Sequence, residues 1–270
     1  MGRRFGQHFL ARKSILDRIA DAACARLTEA GSKCEEAAGK TGRPTETNTP
    51  LVIEIGPGKG ALTESLLART AKLIAIEVDT YLVHYLRQKF ATEIDQGRLT
   101  LIEGDILKTD LTQWGPAVVA GNLPYYITSP ILEKLFTMGD SWTQAVFLMQ
   151  KEVAERLTAL PGTRDFGYLS VQTQLFANPE ILFEVARAAF RPPPKVDSAV
   201  IRLEHSGRIV DDRAAFLKFA SAAFRHKRKT LRNNLAPLYG KDRIDALPEA
   251  KQRAEQLSLD ALLNLFERLR

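Results

Sequence analysis

The sequence predicts an α/β chain: a doubly wound, Rossmann-like, mostly parallel sheet followed by a small all-helical C-terminal domain. Three observations carry this. Short β-branched runs alternate with helix-like stretches from residue 51 to about 160. A glycine-rich turn, "EIGPGKGAL" at 54–62, joins the first of these runs to a helix. After about residue 205 only helical periodicity remains. The domains are therefore placed at 1–206 and 207–270.

In chain order, Ile15, Leu16, Ile19, Ala20, Ala23 and Leu27 recur at helical spacing, which predicts a helix over about 14–29. The stretch "GSKCEEAAGKTGRPTETNTP" is polar and aperiodic, with Gly and Pro, and reads as a long loop over 31–50. "LVIEIG" is a strand, "ALTESLLART" a helix, "KLIAIEVD" a strand and "TYLVHYLRQKF" a helix. "LTLIEGD" and "AVVAGN" are strands. "SPILEKLF" is a helix with Ser129 as N-cap and Pro130 at its first position. "QAVFLMQ" is a further strand and "KEVAERLTAL" a further helix. In the C-terminal region Phe216, Phe219, Ala220, Ala223 and Phe224 share one helical face. Leu259, Leu262, Leu263, Phe266 and Leu269 form another, capped by Ser258.

The bulk properties narrow the class. Of 270 residues, 45% are apolar and 26% charged, ordinary values for a soluble globular protein. The longest apolar runs fall far short of the ~20 residues of a membrane span. The start, "MGRRFGQHFLARK", lacks the apolar segment of a secretory signal. Cys24 and Cys34 form no metal-type pair, and the histidines are scattered, so no metal site and a reduced, cytosolic protein are expected. The net charge of +6 is weak evidence for an anionic partner. Its placement says more. "FRHKRKTLRN" carries Arg225, Lys227, Arg228, Lys229 and Arg232 without an acid. Read as a helix, it puts Arg225, Arg228, Lys229 and Arg232 on one side, Lys227 off it, and Phe224 and Leu231 inward. Such a stripe suits a nucleic-acid backbone; a solvated basic face is the bland alternative.

Gly56, Gly58 and Gly60 let the backbone turn sharply and approach a ligand. Glu77 ends the next strand, where an acid can accept hydrogen bonds from both ribose hydroxyls. Asp105 ends the third, where a carboxylate can take an adenine N–H. Gly56, Gly58 and Ala61 also satisfy the dinucleotide pattern G-x-G-x-x-A, so the loop alone does not choose a cofactor. Glu77 and Asp105 as mere loop caps is the competing reading.

The fourth strand ends in "GNLPYY". A turn accounts for Gly121, Asn122 and Pro124, but not for Tyr125 and Tyr126. An adenine amine is a poor nucleophile because its lone pair is delocalised into the ring. The Asn122 amide oxygen, with the Leu123 or Pro124 carbonyl, is suited to bind its two N–H groups and concentrate that lone pair on nitrogen. Tyr125 supplies a ring for base stacking, worth ~1–3 kcal/mol. A turn with core aromatics is the alternative.

With these residues in place the chain resembles the ribosomal RNA adenine N6-dimethyltransferases, and among them the small-subunit type. The matching pieces are "RFGQHFL", "EIGPGKGALT", "IEVD", "GDIL", "GNLPYYITSPIL", "MQKEVAERL", "GYLSVQTQ" and "FRPPPKVDSAVIRL", in family order over about 200 residues. The resemblance implies a Rossmann-like methyltransferase sheet and S-adenosylmethionine as cofactor. It implies cofactor contacts from His8, Leu10, Gly56, Gly58, Glu77, Asp105, Ile106 and Asn122, and a catalytic motif of Asn122, Leu123, Pro124 and Tyr125. It implies that Phe190, at the head of the polyproline segment, closes on the target base; burial in the core is the alternative. It implies direct methyl transfer to two adjacent adenosines near the 3′ end of small-subunit rRNA by a monomer acting on the small ribosomal subunit. The 31–50 loop is longer than the resemblance leads one to expect. Rival readings are a large-subunit rRNA dimethyltransferase, which usually has Ile at the Leu123 position, a DNA adenine methyltransferase and an NAD-dependent oxidoreductase. A non-enzymatic assembly or transcription factor on the same scaffold is the fourth.

Overall fold

A computed structural model describes residues 9–10, 12–37 and 51–270, the side chains of 26–37 excepted. A two-residue strand, β1 (Phe9–Leu10), precedes helix α1 (Lys13–Ala37). The helix runs past residue 30, so 31–37 is helical where a loop is expected. Lys33, Glu35, Glu36 and Ala37 are all good helix formers, which explains the extension. The remainder of that expected loop, 38–50, lies outside the described residues.

The alternation then follows the β-branched runs: β2 (Leu51–Ile55), α2 (Ala61–Leu67), β3 (Leu73–Glu77), α3 (Thr80–Lys89), α4 (Ala91–Asp95), β4 (Leu99–Glu103) and β5 (Ala117–Asn122). Next come α5 (Thr128–Thr137), β6 (Trp142–Gln150), α6 (Lys151–Thr158), α7 (Tyr168–Phe176), β7 (Ala177–Val185), β8 (Phe190–Arg191) and β9 (Ser198–His205). The last helices are α8 (Arg213–Ala223), α9 (Leu231–Tyr239), α10 (Lys241–Asp245) and α11 (Leu259–Leu269). One seven-stranded sheet has the order β4-β3-β2-β5-β6-β9-β7, and β1 pairs with β8 separately. The first five strands of that order are parallel, and β9 runs antiparallel to β6. Strands β2 and β3 are buried throughout, as strands covered on both faces must be. The chain winds outward from β2 to β4 and returns to β5, so the reversal of strand order falls between β2 and β5. Open α/β sheets bind ligands outside the strand C-termini at such a reversal.

Glycine permits close internal packing at two places. Gly121 stands opposite Ile55, and a Cβ on it would lie 2.7 Å from the Ile55 carbonyl. Gly60 has a φ of +77°, and a Cβ there would meet Phe90 at 2.5 Å.

Helix α5 begins at Thr128, and Ser129 does not cap it. The Thr128 hydroxyl instead reaches back to the Pro124 carbonyl at 3.2 Å. The chain divides into two compact units, residues 1–151 with 181–205, and 152–180 with 206–270. Residues 152–180, which include the first residues of β7, group with the C-terminal helices in the second unit. In the second unit Phe216, Phe219 and Phe266 form an aromatic cluster, with Phe266 5.7 Å and 5.6 Å from the other two rings. Ser258 caps α11 by accepting from the Ala261 N–H. On that helix Leu265 is fully buried, and Leu263 only partly.

The basic stretch is not a helix. Helix α8 stops at Ala223 and α9 starts at Leu231, so Arg225, Lys227, Arg228 and Lys229 sit on a turn and only Arg232 is helical. Like charges at helical spacing repel. Two specific contacts also end the helix. The buried Asn234 amide donates to the Ala223 and His226 carbonyls at 2.7 and 3.2 Å. Thr230 caps α9 through the Asn233 N–H.

Candidate functional site

A cavity of about 460 Å³ opens at the C-terminal ends of β2, β3 and β5. Its wall includes Leu10, Gly56, Gly58, Glu77, Asp105, Ile106, Asn122, Leu123, Pro124 and Tyr125. These are all the expected cofactor and catalytic residues save two. His8 lies outside the described residues. Phe190 is the other: it is 2% exposed, pairs with Leu10 across β1 and β8, and belongs to the hydrophobic core. It is a packing residue here and presents no ring to the cavity.

Glu77 is held from three sides. Its Oε2 accepts the Gly58 N–H, and its Oε1 accepts those of Val78 and Asp79, each at 3.0 Å. The carboxylate thereby ties the glycine loop to the end of β3. A carboxylate has about four acceptor positions, so one remains, on Oε2. The expected acceptance from two hydroxyls is reduced to one unless a backbone bond gives way. The Gly58 N–H likewise serves Glu77 and is not directed at a ligand. Asp105 uses Oδ1 to accept the Leu107 N–H at 3.0 Å, which fixes the turn that carries Ile106 and Leu107.

The tip of β5 is also preset. Leu123 is buried and its N–H donates to the Leu148 carbonyl at 2.9 Å. The Pro124 carbonyl already accepts from the Ile127 N–H at 3.1 Å and from Thr128. Of the two carbonyls considered from sequence, that of Leu123 is therefore the better placed to accept from a ligand. The Tyr125 hydroxyl lies 2.6 Å from the Ser198 hydroxyl. Burial raises its phenol pKa, and the Ser198 bond opposes this.

Several lining residues were given no role from sequence: Glu54, Phe9, Val78, Leu107 and Tyr126. Glu54 is 1% exposed, and its Oε2 has no hydrogen-bond partner among the described residues. Burial pushes its pKa up to about 8, with Glu77 adding to the rise and Thr63 and Lys89 opposing it. Its place between two apolar β-branched residues concealed it. Ser198 escaped because it meets Tyr125 across 73 residues of sequence.

Among the described residues no group of His, Cys, Asp or Glu could hold a metal ion, and no helix is long and apolar enough to cross a membrane. The buried Cys24 thiol is pushed up to about 11, chiefly by burial. Of the five cations in the 225–232 stretch, Arg232 pairs with Asp245, and Lys227 donates to the Arg164 carbonyl. Arg225, Arg228 and Lys229 are exposed and make no ion pair among the described residues.

A glycine loop, two strand-end acids and an Asn-Leu-Pro-Tyr tip on this strand order define a Rossmann-like methyltransferase. Two solved structures match nearly the whole chain. One, a dimethyladenosine transferase from Plasmodium falciparum, superposes with TM-score 0.74 at 26% identity and covers 97% of this chain and 96% of that one. The other, the 23S rRNA methyltransferase ErmE, has TM-score 0.70 at 26% identity and covers 97% and 99%. The family described as ribosomal RNA adenine dimethylase matches residues 1–270. The chain therefore belongs to the ribosomal RNA adenine dimethylase family. The ribosomal RNA small subunit methyltransferase A of Chlorobium phaeobacteroides is 40% identical over 99% of this chain and 91% of its own length. That of Geobacillus thermodenitrificans is 38% identical over 95% and 81%.

Proposed function

We propose that the chain transfers methyl groups from S-adenosylmethionine to N6 of two adjacent adenosines near the 3′ end of small-subunit rRNA, leaving each doubly methylated. The observation that carries this is the Asn122–Tyr125 tip in one cavity with Glu77 and Asp105. The residues fit the cofactor. Glu77 keeps one acceptor position for a ribose hydroxyl, Asp105 has acceptor capacity for an adenine N–H, and Val78, Ile106 and Leu107 supply apolar wall. Leu10 and Gly56 complete that wall. When bound, the cofactor supplies an electrophilic methyl group on a cationic sulfur.

The chain's own work is on the amine. The Asn122 oxygen and the Leu123 carbonyl accept its two N–H groups and localise the lone pair on nitrogen. The Tyr125 ring stacks on a base turned out of its helix, a step costing a few kcal/mol. Placing the amine against the methyl contributes most, up to ~7–11 kcal/mol in favourable cases. The N6 proton leaves after attack, when the nitrogen has become acidic, so no strong base is required. Arg225, Arg228 and Lys229 grip rRNA phosphates, with Lys227 and Arg232 supporting their turn. The Leu123 side chain and the higher identity to small-subunit enzymes, 40% and 38% against 26% to the 23S rRNA methyltransferase ErmE, favour that substrate over large-subunit rRNA. The test is labelled S-adenosylmethionine offered with unmodified small subunits, large subunits or adenine-containing DNA. Label should enter the small subunit alone; label in either other substrate overturns the assignment.

A further inference from the structure

The motif "GNLPYY" holds two tyrosines, and the structure treats them differently. Tyr125 is tied down by Ser198. Tyr126, on the same short 3-10 turn, is 60% exposed, and its hydroxyl makes no hydrogen bond to a described residue. Yet Tyr126 lines the cavity together with Glu77 and Asp105. Two more exposed apolar side chains, Val78 and Leu107, also line this cavity. A mouth with three uncovered apolar groups is a surface that a flat, apolar-faced ligand would cover.

We propose that Tyr126 is a positioning residue for the adenosine end of the cofactor, its ring closing on that end opposite Val78 and Leu107. The proposal rests on the reading of the cavity as an S-adenosylmethionine site. It separates the two rings by duty: the anchored one receives the target base and the loose one covers the cofactor. Burial, and then the charges of Glu77 and Asp105, hold the Tyr126 phenol above its ordinary value. Its oxygen thus lies in the field of the two carboxylates assigned to ribose and adenine. An aromatic face stacked on a base is sequence-tolerant and needs no hydroxyl, so the ring carries the effect.

The test is calorimetric titration of the wild type, Tyr126→Ala and Tyr126→Phe with S-adenosylmethionine and with S-adenosylhomocysteine, which shares the adenosine but lacks the methyl. Tyr126→Ala should weaken both ligands by about tenfold, equivalent to ~1.4 kcal/mol, and by the same factor. Tyr126→Phe should stay within about twofold of wild type, which also shows that the turn tolerates substitution. Unchanged affinity in Tyr126→Ala overturns the proposal. So does a loss confined to S-adenosylmethionine, which would put the ring at the methyl end. So does weakened small-subunit binding with unchanged cofactor affinity, which would give the ring to RNA. If the wild type binds neither ligand, the cofactor site itself is misread and this proposal falls with it.

Discussion

The Tyr125 hydroxyl and the Ser198 hydroxyl lie 2.6 Å apart, a bond that joins the tip of β5 to the first residue of β9. Ser198 is fully buried, so the bond holds the Tyr125 hydroxyl in place and with it the long axis of the ring at the cavity wall. The polyproline segment thus reaches the site through its terminal serine, while its leading Phe190 is packed in the core.

From that bond, Tyr125→Phe and Ser198→Ala should each slow single-turnover methyl transfer by no more than about tenfold, since a neutral hydrogen bond contributes ~0.5–1.5 kcal/mol. Tyr125→Ala should be worse, because the ring itself is lost. A double-mutant cycle on Tyr125→Phe and Ser198→Ala checks the coupling. Strictly additive effects would mean that the bond does not orient the ring.

Glu77→Ala should weaken S-adenosylmethionine binding and also lower stability. The ribose contact is charge-assisted, worth ~1.5–3 kcal/mol. The variant also strands the N–H groups of Gly58, Val78 and Asp79. Calorimetry and urea unfolding measure the two losses separately. A variant as stable as wild type would show that the glycine loop does not depend on Glu77.

Glu54 predicts a pH dependence. Its folded pKa is raised from 4.5 to about 8, so the folded chain holds a proton there that the unfolded chain releases. This group's contribution is complete below about pH 4.5 and is lost as pH rises through about 8. The slope has a ceiling of ~1.4 kcal/mol per pH unit. Glu54→Gln should therefore gain stability relative to wild type as pH goes from 5 to 9. Urea unfolding of both proteins across that range checks it, and parallel curves would mean that Glu54 ionises normally.

Replacing Arg225, Arg228 and Lys229 by Gln should weaken small-subunit binding and flatten its salt dependence, each lost phosphate contact lowering the slope by ~0.7–0.9. Cofactor affinity should not move. Arg232→Gln should instead act on stability, because that side chain is committed to Asp245. An unaltered salt slope in the triple variant would make the turn a solvated basic surface.

How much of this was legible from sequence follows from the range of each signal. The parallel strands were, because burial on both faces leaves apolar runs such as "LVIEI". The strand-end positions of Glu77 and Asn122 were legible for the same reason, while Asp105 lies two residues past β4, a partly exposed strand. Strand β7, "ANPEILFEV", was not, since Asn178, Pro179 and two glutamates interrupt its pattern. Helical spacing of Arg225, Arg228, Lys229 and Arg232 suggested a stripe, but Asn234 and Thr230 end the helices from positions that spacing does not reveal. Ser198, Phe190 and Glu54 take their roles from packing across the sheet, which local sequence does not encode. Tyr126 was visible as a residue but not as one distinct from Tyr125, because only the structure shows which hydroxyl is anchored.

The most direct test of the account is to incubate unmodified small ribosomal subunits with S-adenosylmethionine and either the wild type or Asn122→Ala, then map the methylated nucleotides by mass spectrometry. The account predicts two adjacent N6,N6-dimethyladenosines near the 3′ end of the rRNA with the wild type. With Asn122→Ala it predicts a loss far beyond tenfold in rate, which is more than ~1.4 kcal/mol of transition-state stabilisation, at near-unchanged cofactor affinity. Methylation elsewhere in the rRNA, or turnover by Asn122→Ala within tenfold of wild type, would contradict it.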